Sequence, residues 1–123
     1  MELYSRETIA HFMDPCLRGP LAGGVAGEAF SEDDTCNDCV VFEVRLAEGR
    51  VAAVAQMAEG CVAVVAAASC LAQAVEGALV AEARAWNAVR LAEALGGMPA
   101  RHGACLQVPI DALARALEAA SHA

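Results

Sequence analysis

The fold is decided by residues 40–61, VVFEVRLAEGRVAAVAQMAEGC. Val40, Phe42, Val44 and Leu46 alternate with Val41, Glu43 and Arg45, the period-two pattern of a strand with one buried face. Glu48-Gly49 supplies a turn, because glycine takes positive φ freely, and Arg50 to Glu59 returns as a strand of small and β-branched residues. A two-residue turn pairs Leu46 with Val51, Val44 with Ala53, Phe42 with Ala55 and Val40 with Met57, all apolar. On the other face Arg45 meets Ala52, Glu43 meets Val54 and Val41 meets Gln56. The same register sets Cys36 opposite Cys61. Directly opposed residues have Cβ atoms roughly 4.5 to 5.5 Å apart, close enough for two thiolates to share one metal ion.

Around that pairing, Asp38 has the parity of Cys36 and points to the same side, whereas Cys39 shares parity with Val41 and points away. Cys36-Asn37-Asp38-Cys39 also reads as a CxxC redox pair, but such a pair usually opens a helix after a strand, and here a strand follows it. Redox chemistry ranks second. Cys61 precedes the apolar run Val62 to Gly77, in which Ser69, Gln73 and Glu76 fall on one narrow face of a helix that is otherwise buried. Its 16 residues would span about 24 Å, short of a bilayer core of about 30 Å, so no membrane span is expected. At the helix start, unpaired N–H groups and the macrodipole favour a Cys61 thiolate. Cys70, deep in the same helix among alanines, reads as a small core residue.

Ahead of the hairpin, Ser5 caps a short helix whose Ile9, Phe12 and Met13 form an apolar docking stripe, ended at Asp14 by Pro15. His11 and Cys16 read as structural residues without a metal role. Residues 16–35 form a loop, rich in glycine and ending in Glu32-Asp33-Asp34, with one weak strand near Val25 to Phe30. After the buried helix, Leu79 to Leu95 suggest one or two helices broken near Trp86-Asn87, with Trp86 a core anchor, and Gly96-Gly97 and Pro99 end them. Residues 98–105 read as a loop carrying Arg101, His102 and Cys105. Pro109 then opens a last amphipathic helix as its first residue. A nearby cation and a helix start suit Cys105 to metal ligation or sulfur chemistry, and a free loop cysteine fits the spacing equally.

The whole chain sets outer limits. Its 123 residues, 58% hydrophobic, can bury a real core, and one domain over residues 1–123 is expected. The fold class is α+β, a small antiparallel sheet packed against several helices. A net charge of −8, with eight arginines and no lysine, gives no basic patch to neutralise phosphates, so nucleic acid is excluded as a partner. Met1 to Arg6 lacks a secretory signal, which places the protein in the cytoplasm with reduced cysteines.

Taken together, Tyr4-Ser5, His11-Phe12, Pro15, Gly19, Cys36-Asn37-Asp38, Gly60-Cys61 before a small-residue helix, and Cys105 with Ala112-Leu113 behind it resemble the NifU/IscU-type iron–sulfur cluster assembly scaffolds. The resemblance spans nearly the whole chain and implies the SufE/NifU-like α+β fold. It implies that Cys36, Cys61 and Cys105 ligate a transient [2Fe-2S] cluster, with Asp38 the labile fourth ligand and His102 a further candidate. It also implies a carrier, not an enzyme, that binds iron and sulfide and passes the cluster to apo-protein acceptors. A cysteine desulfurase would be the sulfur source, Cys105 would be the persulfide acceptor, and a homodimer is compatible with it. The alternative is a zinc-dependent sulfurtransferase of the SufU kind, with zinc on the same residues. Three departures stand out. Asn37 replaces the usual glycine and must take a left-handed turn, Ala104 replaces the histidine often found before the third cysteine, and residues 97–101 lack the lysine-containing chaperone-docking motif.

Overall fold

The structure is a computed structural model that describes residues 3–31 and 37–122. Its elements run α1 (Arg6–Met13), β1 (Val25–Phe30), β2 (Cys39–Ala47), β3 (Arg50–Glu59), α2 (Val62–Val75), α3 (Val80–Arg84), α4 (Ala88–Ala94), a 3-10 helix (Ala100–Leu106) and α5 (Gln107–Ser121). The strands form one antiparallel sheet in the order β1-β2-β3, so the α+β expectation holds.

The hairpin turns at Glu48-Gly49, both with positive φ (53° and 75°), the conformation that matches the twist of paired strands. Ala47 pairs with Arg50 and Leu46 with Val51 as expected, but the register then slips by one between Arg45 and Leu46. Beyond that bulge Val44 pairs with Val54, Phe42 with Gln56 and Val40 with Ala58. The expected partners Ala53, Ala55 and Met57 are therefore wrong by one residue, and Val54 and Gln56, expected on the opposite face, are buried in line with Phe42. The physical reason lies in β3 itself. A bulge at Ala52 lets both Val51 and Val54 enter the core and turns Met57 outward, 49% exposed, whereas strict alternation would have buried Ala53 and exposed Val54.

Val40, Phe42 and Val44 are fully buried and face Leu71, Leu113 and Leu117 of the helices. Helix α5 lies across β1 and β2, α2 across β3, and α1 packs on α2. The approach of α5 to β1 is close enough to require glycine at position 27, where an added Cβ would fall 2.1 Å from the Ala116 backbone nitrogen.

Helix α1 starts where expected, with the Ser5 hydroxyl accepting from the Thr8 N–H (3.0 Å). It docks by a different face, however: Thr8 is buried while Ile9, Phe12 and Met13 are exposed. The cause is Ser69 of α2. Its hydroxyl is covered by α1, lies 2.7 Å from His11 Nδ1 and accepts the Cys16 N–H (2.7 Å), so the polar side of α1 turns inward to satisfy it. Ser69 thus does not share the exposed face of Gln73 and Glu76. Helices α3 and α4 break at Trp86-Asn87 as expected, Asn87 Oδ1 accepting the Arg90 N–H (2.8 Å). Of residues 98–105, expected as a loop, all from Ala100 onward belong to a 3-10 helix, Ala100–Leu106, that runs into α5. Pro109 is consequently the third residue of α5, still in the first turn where a missing N–H costs nothing.

Candidate metal centre

Three elements bring their ends together. Cys61 is the N-cap of α2, His102 and Cys105 project from the 3-10 helix, and Asp38 leads into β2. Ligand atoms of Cys61, His102 and Cys105 all lie within 4.8 Å of one another. Asp38, only 1% exposed, accepts the Cys61 N–H on Oδ1 (2.9 Å) and sets Oδ2 at 3.7 Å from the Cys61 Sγ. The carboxylate supplies the cap that a cysteine at the helix start cannot.

Local backbone makes this approach possible. Asn37 has φ 48°, the left-handed conformation that asparagine tolerates better than most residues, and it turns the chain so that Asp38 enters the core. Gly60 lies against Asp38 with φ 137°, and a Cβ there would sit 2.0 Å from Asp38 Oδ1. Of the residues expected at the site, Asp38, Cys61, His102 and Cys105 converge. Cys36 lies outside the described residues. Cys39 points away, beside Glu59 and Phe30 of the neighbouring strands.

The helix start does not make Cys61 a more acidic thiol. Its pKa is raised, chiefly by burial. The Val64 N–H and a hydrogen bond with Cys105 pull it back only partly, and the Asp38 charge adds to the rise. Desolvation outweighs the helix-end contribution because the neutral thiol needs no hydration. A cation at this point would restore the balance, since coordinated sulfur is thiolate.

Tyr4, to which the sequence assigns no role, reaches the site through His102. Its hydroxyl lies 3.0 Å from His102 Nε2, and the two rings are in tilted contact, centroids 5.4 Å apart at 34°. Arg101 Nε donates to the same nitrogen (3.1 Å). The Tyr4 pKa is raised, first by burial and then by the Cys61 thiolate, with Arg101 opposing. Ninety-eight residues separate Tyr4 from His102, so no spacing rule connects them. Cys16 and Cys70 lie elsewhere. Cys16 Sγ is 3.9 Å from His11 Nδ1, and the Cys70 thiol is pushed up to about 11 by burial, in keeping with a core cysteine.

Chemically, the site gathers two thiols, an imidazole and a carboxylate at the ends of rigid elements. That donor set suits zinc or iron–sulfur chemistry and not hard cations such as magnesium.

The fold and this donor set define a small α+β domain with a candidate site for a soft metal. The profile of the NifU-like N terminal domain matches residues 3–122, and the chain belongs to that family. No curated protein matches the sequence. Among solved structures, the putative iron-sulfur cluster assembly scaffold protein for the SUF system from thermophilic Fervidobacterium islandicum is similar, with TM-score 0.75 and 16% identity over 93% of this chain and 96% of that one. The N-terminal part of a nitrogen-fixing NifU-like protein from Brucella abortus superposes with TM-score 0.74 and 20% identity, covering 96% and 94%. A hypothetical protein solved at 2.3 Å gives TM-score 0.71 and 22% identity over 91% and 94%. At these identities the likeness concerns the fold. None of the described helices is long and apolar enough to cross a membrane.

Proposed function

We propose that this chain, as one domain, is an iron–sulfur cluster assembly scaffold: it binds iron and sulfide, holds a [2Fe-2S] cluster in transit and hands it to apo-protein acceptors. The observation that carries this reading is the convergence of Cys61, His102 and Cys105 within 4.8 Å beside buried Asp38, in a chain of the NifU-like family. Cys36, Cys61 and Cys105 are the thiolate ligands and Asp38 the exchangeable one, since a carboxylate holds iron less firmly than thiolate does. His102 is an alternative fourth ligand once Tyr4 and Arg101 release its Nε2. Sulfur arrives from a cysteine desulfurase, with Cys105 as acceptor of the persulfide. The protein acts as a carrier, and iron and sulfide are its cargo.

Anaerobic isolation followed by iron, zinc and acid-labile sulfide analysis tests the reading. Iron with labile sulfide is the expected result, lost on Cys61→Ser and Cys105→Ser. Tightly held zinc without sulfide would favour the zinc-dependent sulfurtransferase instead. No metal after reconstitution with iron and sulfide or with zinc would overturn both.

A further inference from the structure

Beside the metal centre, between the end of β1 and the start of α5, lies a cavity of about 350 Å3, within the size range of small-molecule sites. Asp38 and Cys105 form part of its wall, whereas Cys61 and His102 do not. The cavity therefore opens onto the side of the centre where the exchangeable ligand sits. Ala29, Phe30 and Val108 make its apolar lining. Two arginines, Arg101 and Arg115, also line it, a quarter of all the cations in an acidic chain with eight. Arg115 Nη1 donates to the Glu28 carbonyl (2.7 Å), which fixes the guanidinium at the cavity while using one of its five donors. The acidic residue opposite, Asp111, has its Oδ1 occupied by Gln107 Nε2 (2.9 Å).

We propose that this cavity binds a small aliphatic thiol bearing a carboxylate, its sulfur directed to the Asp38–Cys105 side of the centre and its carboxylate to Arg115. The inference rests on the metal-centre reading and gives that site an external ligand. Apolar walls fit the aliphatic spacer, and a guanidinium's planar fork fits a carboxylate. No electrons move. The thiol would give up its proton to solvent and offer its thiolate to a metal held by Cys61 and Cys105, in place of the Asp38 carboxylate.

Cobalt(II) in place of the native metal makes this measurable, because sulfur-to-cobalt charge transfer and the ligand-field bands report each added thiolate. The cobalt-loaded protein is titrated with 3-mercaptopropionate, L-cysteine and glutathione, which carry both groups, with 2-mercaptoethanol, which lacks the carboxylate, and with propionate, which lacks the thiol. The expected result is at least tenfold tighter binding of 3-mercaptopropionate than of 2-mercaptoethanol. Arg115→Gln should reduce that ratio to near one without changing 2-mercaptoethanol binding. Ala104→Phe, at an exposed position of the lining, should block all the thiols while the cobalt spectrum persists. Which of L-cysteine and glutathione binds more tightly identifies the natural source. Equal affinity for the charged and neutral thiols, or a ratio unchanged in Arg115→Gln, overturns the cavity proposal alone. A protein that gives no thiolate–cobalt spectrum before any thiol is added overturns the metal centre, and the cavity proposal with it.

Discussion

Replacing Gly60 by alanine should be among the most damaging single-methyl changes in this chain. The added Cβ would lie 2.0 Å from Asp38 Oδ1 and 2.9 Å from the Asp38 Cα, so the clash involves backbone as well as the carboxylate. Restoring ordinary contact with the oxygen needs a movement of about 1.4 Å, which breaks its 2.9 Å bond from the Cys61 N–H. A buried charged acceptor left unpaired costs about 1–3 kcal/mol or more, and the φ of 137° adds roughly 1–3 kcal/mol for a residue with a side chain. The sum is about 2–6 kcal/mol. Gly77 is the control: it also has positive φ (79°), but nothing lies within 4 Å of its added Cβ, so Gly77→Ala should cost only roughly 1–2 kcal/mol. Urea unfolding of both variants of the metal-free protein gives the comparison directly. If Gly60→Ala were no more destabilised than Gly77→Ala, Asp38 would not be held as described, and the geometry argued for the centre would fail with it.

Asp38→Ala should lengthen the lifetime of a reconstituted cluster, followed by its visible absorption under a chelator; a shorter lifetime would refute the exchangeable-ligand role. Phe42→Ala, at a fully buried position of β2, should cost about 3–5 kcal/mol in denaturant unfolding. Cys70 titrates near 11 in the folded chain against an ordinary value of 9. Because the folded state holds this proton more tightly, its contribution is complete below pH 9 and fades as pH rises through 11, so unfolding free energy should fall in that window by up to about 2–3 kcal/mol. Cys70→Ala should flatten that alkaline slope. Burial lowers the His11 pKa below its usual 6.5. Its contribution is therefore present above that value and lost as pH drops below it, and His11→Gln should make the acid limb of a pH–stability curve less steep.

How far the sequence reached depended on the range of the interactions that decide each feature. The Glu48-Gly49 turn, the strand at Val25 to Phe30, the Ser5 cap and the break at Asn87 follow from local chemistry, and the structure has them all. The bulge after Leu46 was not legible, because alternation in a strand of valines and alanines favours neither register strongly and the choice falls to the fit of Val51 and Val54 beneath the helices. The orientation of α1 departs from expectation for a related reason: its apolar residues form a stripe, but one buried serine on another helix outweighs them. At the centre, parity puts Asp38 on the side of Cys61 in a register that the bulge shifts by one; Asp38 still meets Cys61, because its Oδ1 accepts the Cys61 N–H, while the expected Cys36–Cys61 opposition lies outside the described residues. Tyr4 and the cavity depend on elements distant in sequence, and no local pattern encodes them.

These positions sharpen what Asp38 can do in the proposed scaffold. A ligand that must leave readily and a carboxylate that is 1% exposed look like opposite requirements. The two oxygens resolve them. Oδ1 holds the first turn of α2 through the Cys61 N–H, and Oδ2 lies toward the Cys61 sulfur, so Oδ2 is the oxygen that would be left to hold a metal. Binding would be through one oxygen whose partner is already engaged, which weakens the carboxylate as a ligand without releasing it from the fold. In the proposed scaffold, a metal could then depart while the bond from the Cys61 N–H to Oδ1 stays in place. On this account Asp38→Asn should retain much of the structural role, since its amide oxygen can still accept the Cys61 N–H, while losing the negative charge. Asp38→Ala loses both. Asp38→Asn should therefore unfold close to wild type in urea, with Asp38→Ala about 1–3 kcal/mol less stable, and both should hold a reconstituted cluster longer than wild type. Equal destabilisation of the two would mean that charge, not the cap, is what the fold takes from Asp38.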